Sequence, residues 1–223
     1  MSVYVLAIDT TADVGSIALA SERGLIEEVV LDSPDGFAHV LLDEIEGLLK
    51  RHELNVWQID AFASASGPGS FTGVRVGLTA VKGLAEATGR KAIAVSNLQA
   101  LAWHGSRLLR AAVLDARRGE VYGGVYNAAL QLVQEEVVSK LPVWLASLPQ
   151  GELEIVTQGC PLGEVPLPVV EAPKALAGSI ARIAFDRLLS GEVVLDPAEL
   201  DANYVRRSDA ELLWKDTLPS PAG

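Results

Sequence analysis

The sequence predicts an α/β protein that contains one fold twice, in two βββαβα-type lobes of which the second is reduced. Three observations lead to this prediction. Each half of the chain opens with a short apolar strand that ends in an aspartate, Asp9 or Asp115. Each of these strands turns back as a hairpin, and strands and helices then alternate along the chain. A hydrophobic content of 49% and a mean hydropathy of +0.28 indicate a well-filled core.

The first half is predicted as three strands followed by alternating helices and strands. The run YVLAI at residues 4–8 is continuously apolar, whereas residues 15–20 alternate as a half-buried strand does. Leucine and isoleucine at helical spacing predict an amphipathic helix over residues 38–53. The order is βββαβαβα, with strands at residues 4–8, 15–20, 25–31, 59–65 and 91–95 and helices at residues 38–53, 71–88 and from 97.

The second half repeats this pattern with fewer elements. Its predicted strands are residues 109–115, 120–126, 132–138 and 153–156, with a short helix near Trp144 and an apolar helix at residues 174–189. Duplication of a three-stranded meander with crossover helices is the architecture of the actin-like ATPase (ribonuclease H-like) fold. The predicted domains are an N-terminal lobe (1–105), a C-terminal lobe (106–216) and a mobile tail (217–223).

A glycine-rich loop, SGPGSFTGVRVG at residues 66–77, joins the fourth predicted strand to the second predicted helix. Its first glycines permit a positive φ and close backbone approach, and Ser70 is placed to cap the helix. The glycines inside the helix each cost about 1 kcal/mol relative to alanine. Three compatible interpretations follow: packing against the chain's own sheet, an anion site at the helix N-terminus, and a subunit interface along the glycine stripe.

The first strand ends in Asp9-Thr10-Thr11, which is expected to face the glycine loop. A carboxylate and two hydroxyls suit a metal–phosphate group, but Asp and Thr also cap hairpins, and Asp115 has the same two interpretations. The Walker pattern is absent, because Gly73 is followed by Val74-Arg75, and the dinucleotide pattern is absent, because it needs a shorter gap than the one between Gly69 and Gly73. The candidate nucleotide-binding residues are Asp9, Thr10, Thr11, Gly67, Gly69 and Asp115.

The sequence offers no catalytic and no metal-binding constellation. None of the three histidines has a second His or Cys at metal-ligand spacing. The serines near the glycine loop lack a Gly-x-Ser-x-Gly arrangement, so a hydrolase triad has no support. We therefore predict no catalytic residue and no metal ligand in this chain.

Net charge, cysteine content and apolar runs indicate which partners the chain can bind and in which compartment it is expected. A formal net charge of −11 and a pI near 4.7 argue against direct binding of nucleic acid, which depends on clustered Lys and Arg. The single cysteine, Cys160, fits a reducing compartment. No leader-like segment opens the chain and no apolar run approaches about 18 residues. The expectation is a cytoplasmic protein without a membrane segment.

Four segments resemble one bacterial family. They are LAIDTT at residues 6–11, SGPGSFTGVRVGL at residues 66–78, VSNLQALA at residues 95–102 and DARRGEVY at residues 115–122. Tyr204-Val205-Arg206 near the C-terminus fits as well. The chain resembles the TsaB (YeaZ) family, non-catalytic subunits of the machinery that installs threonylcarbamoyladenosine at position 37 of tRNAs reading ANN codons.

The resemblance implies a scaffold and activator, not an enzyme. It implies a heterodimer with the catalytic paralogue TsaD and recruitment of the ATPase TsaE, and it leaves open a homodimer when TsaD is absent. The complex, not this chain, would use ATP or ADP and a metal ion, and tRNA would be contacted through the complex. The paralogue holds its metal with His-x-x-x-His, and in this chain Asn97 and Leu101 stand at the two histidine positions. Asn is a poor ligand for a transition metal and Leu is none, so the resemblance implies that this metal site is absent here.

The partner interface is expected on two helices, the amphipathic helix of residues 38–53 and the glycine-striped helix of residues 71–88. The first would present leucines and an isoleucine, and the second would present its smooth glycine stripe. The predicted interface residues are Leu41, Ile45, Leu48, Leu49, Gly73, Arg75, Gly77 and Val81.

Two other function classes have less support from the sequence. A small-molecule kinase or ATPase would use Asp9, Asp115 and the glycine loop, but such kinases need a larger second lobe with an adenosine-binding segment. Here the chain after Gly159 has only Pro-rich connections and one helix. A metallopeptidase fails because the histidine pair is absent.

The acidic balance predicts that the isolated chain binds tRNA weakly or not at all, whereas its complex with TsaD binds it. Filter binding across a salt series measures this directly. Submicromolar binding by the chain alone at about 150 mM salt would contradict the charge argument. Arg206 and Arg207 would then be the first residues to substitute.

Overall fold

The computed structural model describes residues 2–191, 200–203 and 205, which form two five-stranded mixed sheets. The first half of the chain contains β1 (Tyr4–Asp9), β2 (Gly15–Ser21), β3 (Gly24–Leu31), α1 (Leu41–Arg51), β4 (Ala61–Ala65), α2 (Phe71–Thr88), β5 (Lys91–Val95) and α3 (Asn97–Ala102). The second half contains β6 (Leu109–Arg117), β7 (Glu120–Asn127), β8 (Leu132–Lys140), α4 (Leu141–Ala146), β9 (Leu153–Thr157), β10 (Val169–Glu171) and α5 (Ala177–Ser190).

The order of strands and long helices in the first half is as predicted, and α2 and β5 begin and end at the predicted residues. Two short elements were missed. One is a 3-10 turn at Val56–Gln58, and the other is β10. The chain before β10 contains Pro161, Pro166 and Pro168. Proline cannot donate to a sheet, so this stretch has no strand pattern.

The two sheets have the same topology, which confirms the predicted duplication. Their strand orders are β3-β2-β1-β4-β5 and β8-β7-β6-β9-β10. In each, the first strand pairs antiparallel with the second and parallel with the fourth. This is the actin-like ATPase (ribonuclease H-like) fold. The second repeat is reduced, since α4 has six residues and residues 158–168, between β9 and β10, contain no helix.

Helices cover both faces of the first sheet. On one face α1 and α2 pack against Leu6, Ile8 and Phe62 and form the larger core. On the other face α5 packs against alanines and valines of β1, β2 and β4. Buried on both faces, β1 is continuously apolar for this reason.

The position of α5 corrects the predicted domain division. Residues 106–216 were assigned to the C-terminal lobe, but α5 lies on the first sheet. Its N-terminus is held there because Ser16 Oγ accepts a hydrogen bond from the Ala177 amide at 3.0 Å and Glu28 Oε1 accepts one from the Gly178 amide at 2.7 Å. These contacts replace a side-chain cap of the helix's own. The predicted tail, residues 217–223, lies outside the described residues.

The helix α3 interlocks the lobes in the opposite sense. It belongs to the first half by sequence, yet Leu98 and Leu101 are buried against Ala112, Tyr126 and Val156 of the second sheet. Trp144 of α4 fills the core on the other face of that sheet. Each sheet is therefore covered on one face by a helix from the other half of the chain, the first sheet by α5 and the second by α3.

Within the described part of the chain, every helix is too short or too polar to span a lipid bilayer.

Candidate functional site

A cavity of about 500 Å³ lies between the lobes, where β1 and β6 end. The structure brings four of the predicted nucleotide-binding residues to its wall, namely Asp9, Thr11, Gly69 and Asp115. Other polar groups of the wall were not among the predicted nucleotide-binding residues, although the sequence marks Ser70 as a helix cap and Asn97 as the counterpart of a metal ligand. They are Asp13, Ser70, Asn97, Arg117, Tyr122, Gln158 and Lys174.

Asp9 is buried and satisfied by its own turn. Its Oδ1 accepts hydrogen bonds from the Thr11 amide at 2.9 Å and from Thr11 Oγ1 at 2.6 Å. Burial raises the pKa of the Asp9 carboxyl, and the hydrogen bonds from Thr11 oppose this rise. A carboxylate that closes a turn in this way is the hairpin-capping interpretation of the sequence.

Asp115 is exposed in the opposite wall of the cavity. Its Oδ1 accepts a hydrogen bond from the Arg117 amide at 2.8 Å. Arg117 and Arg118 have left-handed backbone, with φ of 67° and 53°, and Gly119 completes the turn at 72°. Non-glycine residues in this conformation are strained, and the hydrogen bond to the Asp115 carboxylate helps to stabilise the turn. The second predicted carboxylate therefore also acts on its own turn.

The glycine loop is closed over the turn at Thr10 and Thr11. The Gly67 amide, at φ 98°, donates to Asn97 Oδ1 at 2.9 Å, and the Ser70 amide donates to the Thr11 carbonyl oxygen at 2.7 Å. Asn97 Nδ2 in turn donates to Thr11 Oγ1 at 2.6 Å. Asn97 thus ties the loop to the end of β1.

The N-terminus of α2 is also bonded to neighbouring residues of the chain. Ser70 Oγ accepts from the Gly73 amide at 3.2 Å, as predicted for a cap, and Thr10 Oγ1 donates to the Gly73 carbonyl oxygen at 2.7 Å. A Cβ atom at Gly73 would lie 1.9 Å from the Thr10 carbonyl oxygen. The Gly73 amide is thus bonded within the protein and the Thr10 backbone lies against the start of α2, which weakens the anion-site interpretation.

The glycine stripe packs against the chain's own sheet, so the predicted interface residues Gly73, Gly77 and Val81 require correction. A Cβ atom at Gly77 would lie 2.7 Å from Ser64 Oγ and 3.0 Å from Thr10 Oγ1. Val81 is fully buried in the core. Internal packing is the interpretation that the structure supports.

The predicted interface residues on α1 require the same correction. Leu41, Ile45, Leu48 and Leu49 are all buried in the first core, because an apolar stripe at helical spacing faces the sheet. Arg75 is the one exposed residue of the eight, whereas Gly73 is half-buried, and the Arg75 guanidinium stacks 3.9 Å from the Phe71 ring centroid. The exposed apolar side chains of these helices are Leu42, at 59%, and Phe71, at 44%.

The positions that match a metal-binding His-x-x-x-His serve other purposes here. Both polar ends of the Asn97 side chain are bonded, and Leu101 is fully buried. Among the described residues, no three or more His, Cys, Asp or Glu side chains form a metal-binding group. Tyr204, Arg206 and Arg207, which the sequence singled out, lie outside the described residues.

Comparison with known proteins gives one consistent set of relatives. Residues 34–191 match the family model described as "TsaD: tRNA N6-adenosine threonylcarbamoyltransferase". The tRNA threonylcarbamoyladenosine biosynthesis protein TsaB of Bacillus subtilis is 30% identical over 94% of this chain and 97% of its own length. A tRNA N6-adenosine threonylcarbamoyltransferase of Rhizobium leguminosarum is 33% identical, but the match covers 71% of this chain and 43% of that protein.

The fold has a solved counterpart. YeaZ from Pseudomonas aeruginosa superposes with a TM-score of 0.78 at 26% identity, covering 91% of this chain and 99% of that one. The match extends over nearly the full length of both chains.

Gly73 provides a test of the closed loop. Replacement by alanine places a Cβ against the Thr10 carbonyl oxygen, and we expect it to lower the free energy of unfolding by about 1–3 kcal/mol or more. Gly83→Ala is the matched control, because Gly83 is exposed in the same helix with nothing within 4 Å of an added Cβ. That variant should gain about 1 kcal/mol. Urea unfolding of both proteins measures the difference, and two equal shifts would contradict the packing described here.

Proposed function

The chain belongs to the TsaB (YeaZ) family, and from this membership we propose that it takes part in the synthesis of threonylcarbamoyladenosine in tRNA. It acts as a non-catalytic scaffold and activator that pairs with the catalytic paralogue TsaD and recruits the ATPase TsaE. The transfer of the threonylcarbamoyl group to the tRNA adenosine takes place on the partner.

The observation that carries this proposal is the state of the polar groups between the lobes. Asp9, Thr11 and Asn97 bond to one another and to the glycine loop at 2.6–2.9 Å. Groups that are bonded in this way hold the fold together, which supports a structural role for them. The chain's contribution to the reaction therefore lies in the surface that it offers.

The outer faces of α1 and α2 are the surface that we propose for TsaD. Both helices lie on one face of the first sheet and turn exposed apolar side chains, Leu42 and Phe71, to solvent. Arg75, stacked on Phe71, adds a rigid cation beside this apolar area. Aromatic and arginine side chains are common at the centres of interfaces. The same face would pair two copies of this chain when TsaD is absent.

Nucleotide binding between the lobes is the second candidate function. Its support is a cavity of about 500 Å³ whose wall holds Asp115, Arg117 and Lys174. Against it stands the glycine loop, whose Gly67 and Ser70 amides are already bonded within the protein. We propose that ATP or ADP and the metal ion of the reaction are held by the complex and not by this chain alone, and that tRNA is also bound through the complex.

Substitution on the outer faces tests the proposed interface. We expect Leu42→Glu and Phe71→Glu each to weaken binding of TsaD at least about tenfold, because a charge replaces a desolvated apolar anchor. Folding should be preserved, since both side chains are exposed and Glu in the first turn of α2 suits the helix dipole. Calorimetric titration with TsaD measures the affinity.

The matched control for these variants is Val143→Glu on α4, where an apolar side chain of 62% exposure lies on the other lobe. It should bind TsaD as the unmodified chain does. Wild-type affinity in both Leu42→Glu and Phe71→Glu would place the interface elsewhere, and a loss of affinity in Val143→Glu would show that any added charge has this effect.

A further inference from the structure

Glu136 on β8 lies where three separate parts of the chain meet. Its Oε1 accepts hydrogen bonds from Ser96 Oγ, at the N-cap of α3, and from the Tyr126 hydroxyl on β7. Its Oε2 accepts a hydrogen bond from Asn203 Nδ2 at 2.5 Å. The carboxylate therefore connects the second sheet to a helix of the first half and to the chain segment that follows α5.

Asn203 is itself anchored on the first lobe. Its backbone N–H donates to the Ser66 carbonyl oxygen at 2.7 Å, at the start of the glycine loop. Leu200, three residues earlier, is 1% exposed and belongs to the core of the first lobe. Residues 200–203 are therefore fixed to the first lobe at both of these points. The Asn203 side chain then bonds this segment to Glu136 of the second sheet.

A second carboxylate holds one of the covalent crossings between the lobes, the link at residues 103–108. Glu154 on β9 is 2% exposed and accepts hydrogen bonds from the amides of Ser106 and of Arg107, the latter at 2.7 Å. Arg110 on β6 donates to the carbonyl oxygens of Arg107 at 3.1 Å and Ala102 at 3.2 Å. The link is thereby fixed to the second sheet along its length.

We propose that Glu136 is an interlobe latch, which holds the segment at residues 200–203 and the start of α3 against the second sheet and keeps the two lobes at a fixed angle. A hinge needs a few backbone positions that are free to rotate, but both covalent crossings are bonded to the second sheet. The link at residues 103–108 is held by Glu154. The link at residues 172–176 is held by Gln158, whose Nε2 donates to the Pro173 and Lys174 carbonyl oxygens at 2.5 and 3.2 Å. Hydrogen bonds to a charged acceptor are stronger than neutral ones. Burial and the neighbouring carboxylate raise the pKa of the Tyr126 phenol, so this hydroxyl stays a donor.

The inference does not rest on the proposed function. With the latch closed, the cavity between the lobes keeps a constant width, and the α1–α2 face and the second lobe are presented in one geometry. Loss of the latch should open the joint locally and leave the core of the first sheet intact, because β1 and its neighbours do not depend on Glu136.

Hydrogen exchange followed by mass spectrometry tests the latch on the full chain. Glu136→Ala should exchange at least about tenfold faster in peptides that cover residues 66–73 and 94–99, with β1 peptides unchanged. Glu135→Ala is the matched control, because Glu135 is exposed on the same strand and its side chain makes no hydrogen bond or ion pair within the described part of the chain. It should leave exchange unaltered throughout.

A second variant keeps the test decisive if Glu136→Ala does not fold. Asn203→Ala removes only the bond from the segment to Oε2 and should give the same local pattern at residues 66–73. Unchanged exchange at these residues would overturn the proposal. A uniform increase that includes β1 would also overturn it, because Glu136 would then contribute to overall stability and not to the joint between the lobes.

Discussion

The structure depends on one close approach, that of the Thr10 carbonyl oxygen to Gly73 in α2. No side chain can be accommodated at this position, since a Cβ would lie 1.9 Å from that oxygen. The approach seats α2 on the end of β1, and it brings Thr11 within bonding distance of the Ser70 amide and of Asn97. The helix propensity lost at Gly73 and Gly77 is offset by this packing, and the end of β1, the glycine loop and the start of α3 become one rigid junction.

Much of the fold could be predicted from the sequence, and the errors have a common cause. Periodicity and capping residues located α2 and β5, because these signals are local. Glycine inside a helix predicts that something lies close, but does not identify the neighbour, so the stripe at Gly73 and Gly77 fitted a partner as well as the chain's own sheet. The leucines of α1 were assigned to an interface for the same reason. Chain order likewise does not tell which sheet a helix covers, so α5 was assigned to the wrong lobe.

The candidate site was predictable in its composition but not in its chemistry. Asp9, Thr11 and Asp115 were recognised as strand-end residues, and both interpretations, ligand binding and turn capping, were consistent with the sequence. The distances favour turn capping, because one oxygen of each carboxylate is bonded within its own turn. The contacts of Glu136 with Ser96 and Asn203 join residues 40 and 67 positions apart and leave no trace in any local pattern. Under the proposed role in tRNA modification, the partner therefore carries out the chemical step, and this chain contributes a rigid binding surface.

The most direct test of this account is a reconstituted threonylcarbamoylation assay with TsaD, TsaE and threonylcarbamoyl-adenylate. The chain would be supplied either unmodified or as the double variant Asp115→Asn and Lys174→Ala, which removes two charged groups from the cavity wall. The account predicts that both forms stimulate the transfer to tRNA equally and that stimulation saturates with added chain. A large loss of transfer with the double variant, at unchanged affinity for TsaD, would contradict it, because the cavity of this chain would then take part in the reaction.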